Sequence, residues 1–480
     1  MNIIPKVKSI KEKGEIFISP EFSSDERLSF CKKTFLRMCR KIYGVRLKSG
    51  DAGIKLLYDE SLNKDEYKIN GAFVYASDTE GASYGLATMI QLMEKAENGF
   101  KLRDTEIVDK PDKDFRAYME DVKTELTDFD SLIALVDICW LYKVKYIQLH
   151  LMDNKAWTLP LKCFPDAATK GKSYKREEIE YLVEYANEAG VELIPEFEGI
   201  GHSAELIRNC PDEFANEFFK ESETAKVLMN PADKKKWTEN IMCIGKPHIF
   251  ENIEKMLSEI AEIFKYSKYI HIGCDEAKHE KWADCTLCTE YMKKNGIGST
   301  KELYSHFTAK IVDICLSLGR TPIVWEGFPK EGTENISREC IVISWENYYQ
   351  TGPELIEAGF KVVNASWKPM YVVPEWIERD LNHEFKWTVA GEDWKVHELQ
   401  HWAWPSKAFN GLKLEPPEMV LGGMLCQWGS SFEGMRERVI LNLAQTVDRT
   451  WNSESHYSEK EFFENSEKIL KIADKLSTGN

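Results

Sequence analysis

Short apolar runs recur along this chain at wide intervals, each followed by a longer stretch with apolar residues at helical spacing. The runs are rich in β-branched residues, the signature of strands buried on both faces. Eight such runs follow one another: Phe115–Val122, Tyr146–Leu151, Val191–Glu198, Tyr269–Glu276, Thr321–Gly327, Cys340–Asn347, Lys361–Lys368 and Gly422–Gly429. Amphipathic stretches such as Arg176–Glu188, Glu251–Phe264 and Lys301–Leu318 lie between them. This alternation predicts an α/β fold, a (β/α)8 TIM barrel with insertions. A doubly wound sheet is the alternative, but its usual ligands need a Gly-rich phosphate turn after the first strand, and none is present.

Residues 1–112 read as a separate small α/β domain, with strands at Lys55–Tyr58 and Ala72–Tyr75 and a helix over Gly81–Met93. The polar, Pro-containing stretch Asp109–Asp114 marks the boundary. The barrel is then expected over 113–452. An insertion rich in Trp and Pro, at about 374–418, falls between strands seven and eight and is expected over the barrel mouth, with Trp394, Trp402 and Trp404 packing it. A terminal helix within 453–480 is expected to pack on the barrel.

In such barrels the C-terminal strand ends form the active rim, and here those ends carry chemistry. Strand one ends Glu120-Asp121, and strand two runs into His150 and Asp153, then Trp157. Strand three ends Glu196-Phe-Glu198, followed by Gly201-His202. Strand four, Tyr269-Ile-His-Ile-Gly-Cys-Asp-Glu-Ala277, ends in adjacent carboxylates, Asp275 and Glu276. Strands five and six carry Trp325-Glu326 and Trp345-Glu346; strand seven leads to Trp367 and Tyr371, and strand eight carries Trp428. Side chains alternate along a strand, so Asp275 and Glu276 share a site only if the backbone turns at the tip. Carboxylates to work on a glycosidic oxygen and indoles to hold a sugar ring make a glycosidase-like set.

Composition narrows the partners. The net charge of −16 argues against nucleic acid and anionic membranes, and no apolar run is long enough for a membrane span. The N-terminal residues lack a signal-peptide core, so a cytoplasmic location with reduced thiols is expected for the twelve cysteines. Cys285-Thr-Leu-Cys288 has metal-like spacing with His279 nearby, but no second such pair follows, so no metal is expected there. The two thiols are instead free, or bridged in an oxidising environment. No organic cofactor is implied.

The motifs, taken jointly and in order, resemble glycoside hydrolase family 20, the β-N-acetylhexosaminidases. The family's His-x-Gly-Gly-Asp-Glu appears as His271-Ile-Gly-Cys-Asp-Glu276, its His-Leu-x-Asp-Asp as His150-Leu-Met-Asp-Asn154, and its Pro-Glu-x-Asp-x-Pro-Gly-His as Pro195-Glu-Phe-Glu-Gly-Ile-Gly-His202. The resemblance implies exo-acting, substrate-assisted retaining hydrolysis of terminal β-linked GlcNAc or GalNAc. Glu276 would be the acid/base, Asp275 would accept the acetamido N–H, and Tyr371 would donate to the acetamido oxygen. Trp325, Trp345 and Trp428 would wall the acetamido pocket, with Trp367 and His150 alongside. Asp153 and His202 would act as a pair that orients Glu276. An adjacent Asp275 and apolar walls are expected to raise the Glu276 pKa.

Two departures fall on the side of the pocket that reads sugar hydroxyls. The family's strand-one Arg corresponds to Thr124 here, and Gly429-Ser430 follows Trp428 where a Glu is usual. Glu120, Asp121 and Glu433 are the candidate replacements, and broad tolerance of GlcNAc and GalNAc is expected. A retaining glycosidase with Glu326 or Glu346 as protein nucleophile is the competing enzyme; a non-catalytic sugar-binding barrel is the other alternative. The expected partner is a small oligosaccharide or glycoconjugate, with no nucleic acid and no membrane; monomer and dimer both stay open.

Overall fold

The computed structural model describes residues 2–217, 241–347, 349–374, 396–397, 399 and 412–478. The Trp-rich insertion, including Trp394, Trp402 and Trp404, lies for most of its length outside the described residues. Among the described residues no helix is long and apolar enough to cross a membrane.

The N-terminal region is an eight-stranded mixed sheet carrying two helices. Its strands are β1 (Ser9–Ile18), β2 (Glu21–Ser24), β3 (Lys48–Ser49), β4 (Ile54–Tyr58), β5 (Tyr67–Asn70), β6 (Phe73–Ala76), β7 (Met93–Ala96) and β8 (Gly99–Asp109). Helix α1 spans Lys32–Tyr43, and α2 spans Thr79–Leu92 behind an N-cap at Asp78, whose carboxylate accepts from Gly81 N. Helix α2 is buried on nearly every face because the sheet packs on one side and the barrel on the other. Its Gly85 is required by that proximity: a Cβ there would lie 2.5 Å from Val74 Cγ1. Arg116, at the start of the first barrel strand, points back into this seam and donates to Tyr84 OH at 2.6 Å and Lys143 O at 3.0 Å.

The second sheet closes on itself. Strands β9 (Phe115–Glu120), β10 (Tyr146–His150), β11 (Glu192–Glu196), β12 (Tyr269–His271), β13 (Thr321–Trp325), β14 (Ile341–Ser344), β15 (Lys361–Asn364) and β17 (Val420–Gln427) pair in parallel, and β17 pairs with both β15 and β9. A two-residue β16 (Tyr371–Val372) lies beside the tip of β17. This is the eight-stranded barrel that the spacing predicts. Helices α3 (Phe129–Tyr142), α4 (Arg176–Glu188), α5 (Ala204–Asn209), α6 (Pro211–Phe214), α7 (Ile249–Ile263), α8 (Thr286–Asn295), α9 (Thr300–Ser317), α10 (Gly352–Glu357), α11 (Trp367–Met370) and α12 (Phe432–Trp451) follow the strands, and α13 (Glu459–Thr478) ends the chain.

The barrel interior is filled, not hollow. Phe115, Tyr146 and Tyr269 pack ring against ring at its base, while Trp325 and Cys426 close the layer beneath the mouth. Layers of large side chains from alternate strands are how such barrels exclude water. The observed strands are shorter at their C-terminal ends than the apolar runs suggest: β12 stops at His271, and β11 at Glu196. The residues beyond those points leave the ladder to build the rim.

Candidate active site

A cavity of about 340 Å³ opens at the C-terminal ends of the strands, at the small end of the range for ligand pockets, about 300–1,000 Å³. Its lining includes Lys123, His150, Asp153, Glu198, His202, Asp275, Glu276, Trp325, Trp345, Glu346, Trp367, Tyr371 and Trp428. All five residues expected to be catalytic therefore border one space, with five of the eight expected to bind substrate.

The tip of β12 explains how two adjacent acids share that space. Gly273, Cys274 and Glu276 have φ of +61°, +73° and +47°, so the chain turns out of the pleat in left-handed conformation instead of alternating. Gly273 leaves no choice of residue: a Cβ there would lie 2.0 Å from Glu198 Oε2. Non-glycine residues held in this region store strain that clusters at functional sites. His202, facing the same acids, also has a positive φ of +47°.

The two acids differ in environment. Asp275 is 9% exposed, and its Oδ1 is buried with no hydrogen-bond partner among the described residues. Burial pushes its carboxyl up, against the pull of His202. Glu276 is half-exposed, and the hydrogen bond from His202 draws its carboxyl below the ordinary value. The expected rise in the Glu276 pKa is therefore not found in this arrangement: burial acts on Asp275, and the imidazole acts on Glu276. His202 Nε2 lies 3.2 Å from Glu276 Oε2 and 3.6 Å from Asp275 Oδ2, so one N–H faces both carboxylates.

Behind His202 stands Asn154, not Asp153. Asn154 Oδ1 accepts from Ala204 N at 3.2 Å, which turns its amide nitrogen toward His202 Nδ1 at 3.3 Å. In the neutral ring this favours Nδ1 as an acceptor, which places the single ring proton on Nε2. Carboxylates at Nε2 outweigh burial and raise the His202 pKa; the amide at Nδ1 opposes a second proton. Asp153 is engaged elsewhere. Lys123 Nζ donates to it, and His150 Nε2 lies 3.8 Å away. Its carboxyl falls well below the usual range, Lys123 outweighing the cost of burial.

The aromatic walls come from four strand ends. Trp345 and Tyr371 stack with parallel rings 6.3 Å apart, and Trp428 contacts Tyr371, Trp325 and His150 at 5.9, 6.0 and 4.9 Å. Trp325 Nε1 donates to Glu196 at 2.6 Å, and Trp345 Nε1 to Glu326 O at 2.6 Å, so both indoles are locked in orientation. Glu196 also meets His150 Nδ1 at 2.8 Å. In this buried pair His150 rises to about 10 and Glu196 falls to about 2, mutual attraction overcoming burial in each.

Three expected sugar-binding acids lie elsewhere. Asp121 is consumed by its own turn, accepting from Lys123 N, Thr124 N, Thr124 Oγ1 and Gly429 N at 2.7–3.1 Å. Glu120 is buried between Tyr118 OH and Thr127 Oγ1. Glu433, at the start of α12, accepts from Asp128 N at 3.1 Å and caps the neighbouring loop. None of the three lines the cavity. The group on that side is Lys123, one residue before Thr124, which was not singled out from sequence. Burial pulls its ammonium down, but Asp121 and Asp153 hold it above its ordinary value.

Glu326, a candidate nucleophile, accepts from Tyr349 N at 2.9 Å and Gln350 N at 3.0 Å and holds a loop. Glu346 does line the cavity, and burial beside Glu276 and Asp275 pushes it up to about 7. Glu198 was seen at a strand end but given no role; burial and Asp275 raise its carboxyl well above the usual range.

The sequence matches the family described as glycosyl hydrolase family 20, catalytic domain, over residues 114–453. It is 24% identical over 387 residues to a beta-hexosaminidase of Porphyromonas gingivalis, covering 72% of this chain and 47% of that one. It is 24% identical over 427 residues to a beta-hexosaminidase subunit beta of Entamoeba histolytica, covering 84% and 70%. The chain thus spans about half the length of the first of these relatives. Its fold is that of a GH20 exo beta-N-acetylglucosaminidase from Vibrio harveyi, solved with N-acetylglucosamine: TM-score 0.79, 19% identity, covering 99% of this chain and 78% of that one.

Proposed function

Since the chain belongs to glycosyl hydrolase family 20, we propose that it is an exo-acting β-N-acetylhexosaminidase. It removes terminal, non-reducing β-linked GlcNAc or GalNAc by substrate-assisted retaining hydrolysis. The observation that carries this reading is Asp275 Oδ1, a buried carboxylate oxygen with no donor among the described residues, in a cavity walled by indoles. A buried acceptor without a partner is costly. An acetamido group supplies the missing N–H, and its methyl fits the apolar wall.

In the proposed reaction Asp275 takes the acetamido N–H and the Tyr371 hydroxyl donates to the acetamido oxygen. That oxygen attacks C1 as the C1–O glycosidic bond breaks, and the leaving oxygen takes the proton of Glu276. The resulting oxazolinium is opened at C1 by water, which gives a proton to Glu276. Two displacements at C1 retain its configuration. A nucleophile carried by the substrate makes the attack intramolecular, an advantage of up to about 7–11 kcal/mol.

Glu276 must first acquire a proton. An aglycone covering its half-exposed side chain removes water and favours the neutral form. The His202 N–H between the two carboxylates then serves Asp275, releasing Glu276 and keeping Asp275 ionised. Lys123 contacts the sugar hydroxyls in place of the Arg expected at Thr124. A lone ammonium lacks the guanidinium fork, which supports tolerance of both C4 epimers. The proposed substrates are small oligosaccharides or glycoconjugates, and the proposed location is the cytoplasm, supported by twelve cysteines of which none forms a disulfide.

The test is turnover of aryl β-glycosides of GlcNAc, GalNAc and glucose. Cleavage of the two acetamido sugars but not glucose is expected. Glucoside cleavage at a comparable rate would overturn substrate assistance and point to Glu346 as a protein nucleophile, a role for which a carboxyl at about 7 is poorly suited at neutral pH.

A further inference from the structure

Three thiols from two segments of the chain, Cys243 on one and Cys285 and Cys288 on the other, meet beside the loops that carry His202 and Glu276, and we propose that they bind a structural zinc ion. Cys243 Sγ lies 3.7 Å from Cys285 Sγ and 3.6 Å from Cys288 Sγ, and all three residues are fully buried. A disulfide would need about 2.05 Å. Tetrahedral zinc with bonds to sulfur of about 2.3 Å sets sulfur–sulfur edges of about 3.8 Å. The two edges from Cys243 lie within about 0.2 Å of that value, and all three sulfurs are within 4.8 Å of one another.

Asn216 offers a fourth donor beside Cys288. Asn216 Oδ1 lies 3.6 Å from Cys288 Sγ, and its amide nitrogen is turned away to Ile241 O. A zinc–oxygen bond of about 2.1 Å next to a zinc–sulfur bond of about 2.3 Å gives an edge of about 3.6 Å. Thiolate donors favour zinc over the hard cations. His279, near in sequence, is not part of the cluster: its Nδ1 faces Thr300 Oγ1 at 2.9 Å and its Nε2 faces Glu280 Oε1 at 3.3 Å.

The local fold brings these atoms together at a cost. Gly245 passes so close to α8 that a Cβ would lie 2.2 Å from Leu287 O. Trp282 Nε1 donates to Met242 O at 2.9 Å, pinning the Cys243 segment to the turn before Cys285. The Cys285-x-x-Cys288 spacing alone is half a site; the third thiol stands 42 residues upstream of Cys285. A metal here would join the end of α6, the returning chain at Cys243 and the segment that follows Glu276, bracing two rim loops against each other.

The experiment is metal analysis of tag-free protein purified without chelators, by mass spectrometry of the metal and by zinc release on thiol modification. About one zinc per chain is expected, as for a closed structural site. Cys243→Ser and Cys288→Ser should each lose most of it, while Cys163→Ser, at an exposed thiol outside the cluster, should keep it. Chelation should lower the Tm of the wild type, and added zinc should restore it. Wild-type protein that holds no zinc and takes up none from zinc chloride would overturn the proposal, whatever the serine variants do. So would a Cys285–Cys288 disulfide found by peptide mass spectrometry.

Discussion

The cavity has two sides built on opposite principles. On the side of β11 to β17, polar groups leave the ladder and face open space: Asp275 keeps an oxygen without a partner among the described residues, and the His202 N–H faces two acceptors. On the side of β9 the two acids are spent internally, Asp121 on three donors of its own turn and the Gly429 N–H, and Glu120 on two hydroxyls. Carboxylates near a rim are therefore not equivalent. What matters is whether the fold has already satisfied them, because only a group with spare hydrogen-bonding capacity gains by meeting a ligand.

Substitutions on the two sides should separate accordingly. The largest effect is expected for Glu276→Gln, which removes the proposed proton donor and should lower kcat on an unactivated disaccharide by about 10²–10⁴-fold. Activated aryl glycosides should be hurt less, since their leaving groups need no proton. Asp275→Asn should cost about 10²–10³-fold on acetamido substrates by presenting an N–H to an N–H. Equal losses for Asp275→Asn and Asp121→Asn would erase the contrast between the sides.

Lys123→Met should lower kcat/KM by about 10–100-fold, mostly through KM, as expected for a charged hydrogen bond of about 1.5–3 kcal/mol. It also strips Asp153 and Asp121 of their cation, so Tm should fall; Lys123→Arg keeps the charge and should change the GlcNAc:GalNAc rate ratio instead. Asp121→Ala should act through stability, leaving buried donors unsatisfied at about 1–3 kcal/mol each, measured by denaturant unfolding, with the sugar ratio unchanged. Glu433→Gln, exposed and outside the cavity, should change kcat/KM less than about twofold.

The His150–Glu196 pair sharpens the comparison through pH. His150 is raised from 6.5 to about 10, so its contribution is fully present below 6.5 and lost as pH rises toward 10. Glu196 is lowered from 4.5 to about 2, so its contribution is present above 4.5 and lost as pH falls toward 2. The pair's contribution to Tm should therefore be greatest between pH 4.5 and 6.5, and Glu196→Gln should flatten the profile on both flanks.

The barrel was legible because its signal is local. Each strand begins within two residues of the apolar run that marks it, from Phe115 to Val420. Asp153, His202, Asp275 and Glu276, which line the cavity, were legible through their motifs. What escaped depended on partners distant in sequence. Lys123 looks like any surface lysine until Asp121 and Asp153 are seen around it. Asn154 looks like a lapse in a two-acid motif until Ala204 N is seen fixing its amide. Glu276 was expected to have a raised pKa because Asp275 is its neighbour in sequence, but the turned tip gives the burial to one acid and the imidazole to the other.

That turned tip also limits which descendants of this chain could exist. Cys274 occupies a left-handed position at φ +73° with its side chain fully buried. A saturation library at this codon, screened for folded protein, should return mainly glycine and asparagine beside the parent, because β-branched residues cannot adopt this conformation without clash. At Gly273, where any Cβ meets Glu198, the same library should return the parent alone. The route to new chemistry in this barrel therefore runs through Lys123 on the side of β9, where exchange for Arg alters what is read without disturbing the backbone that presents the acids.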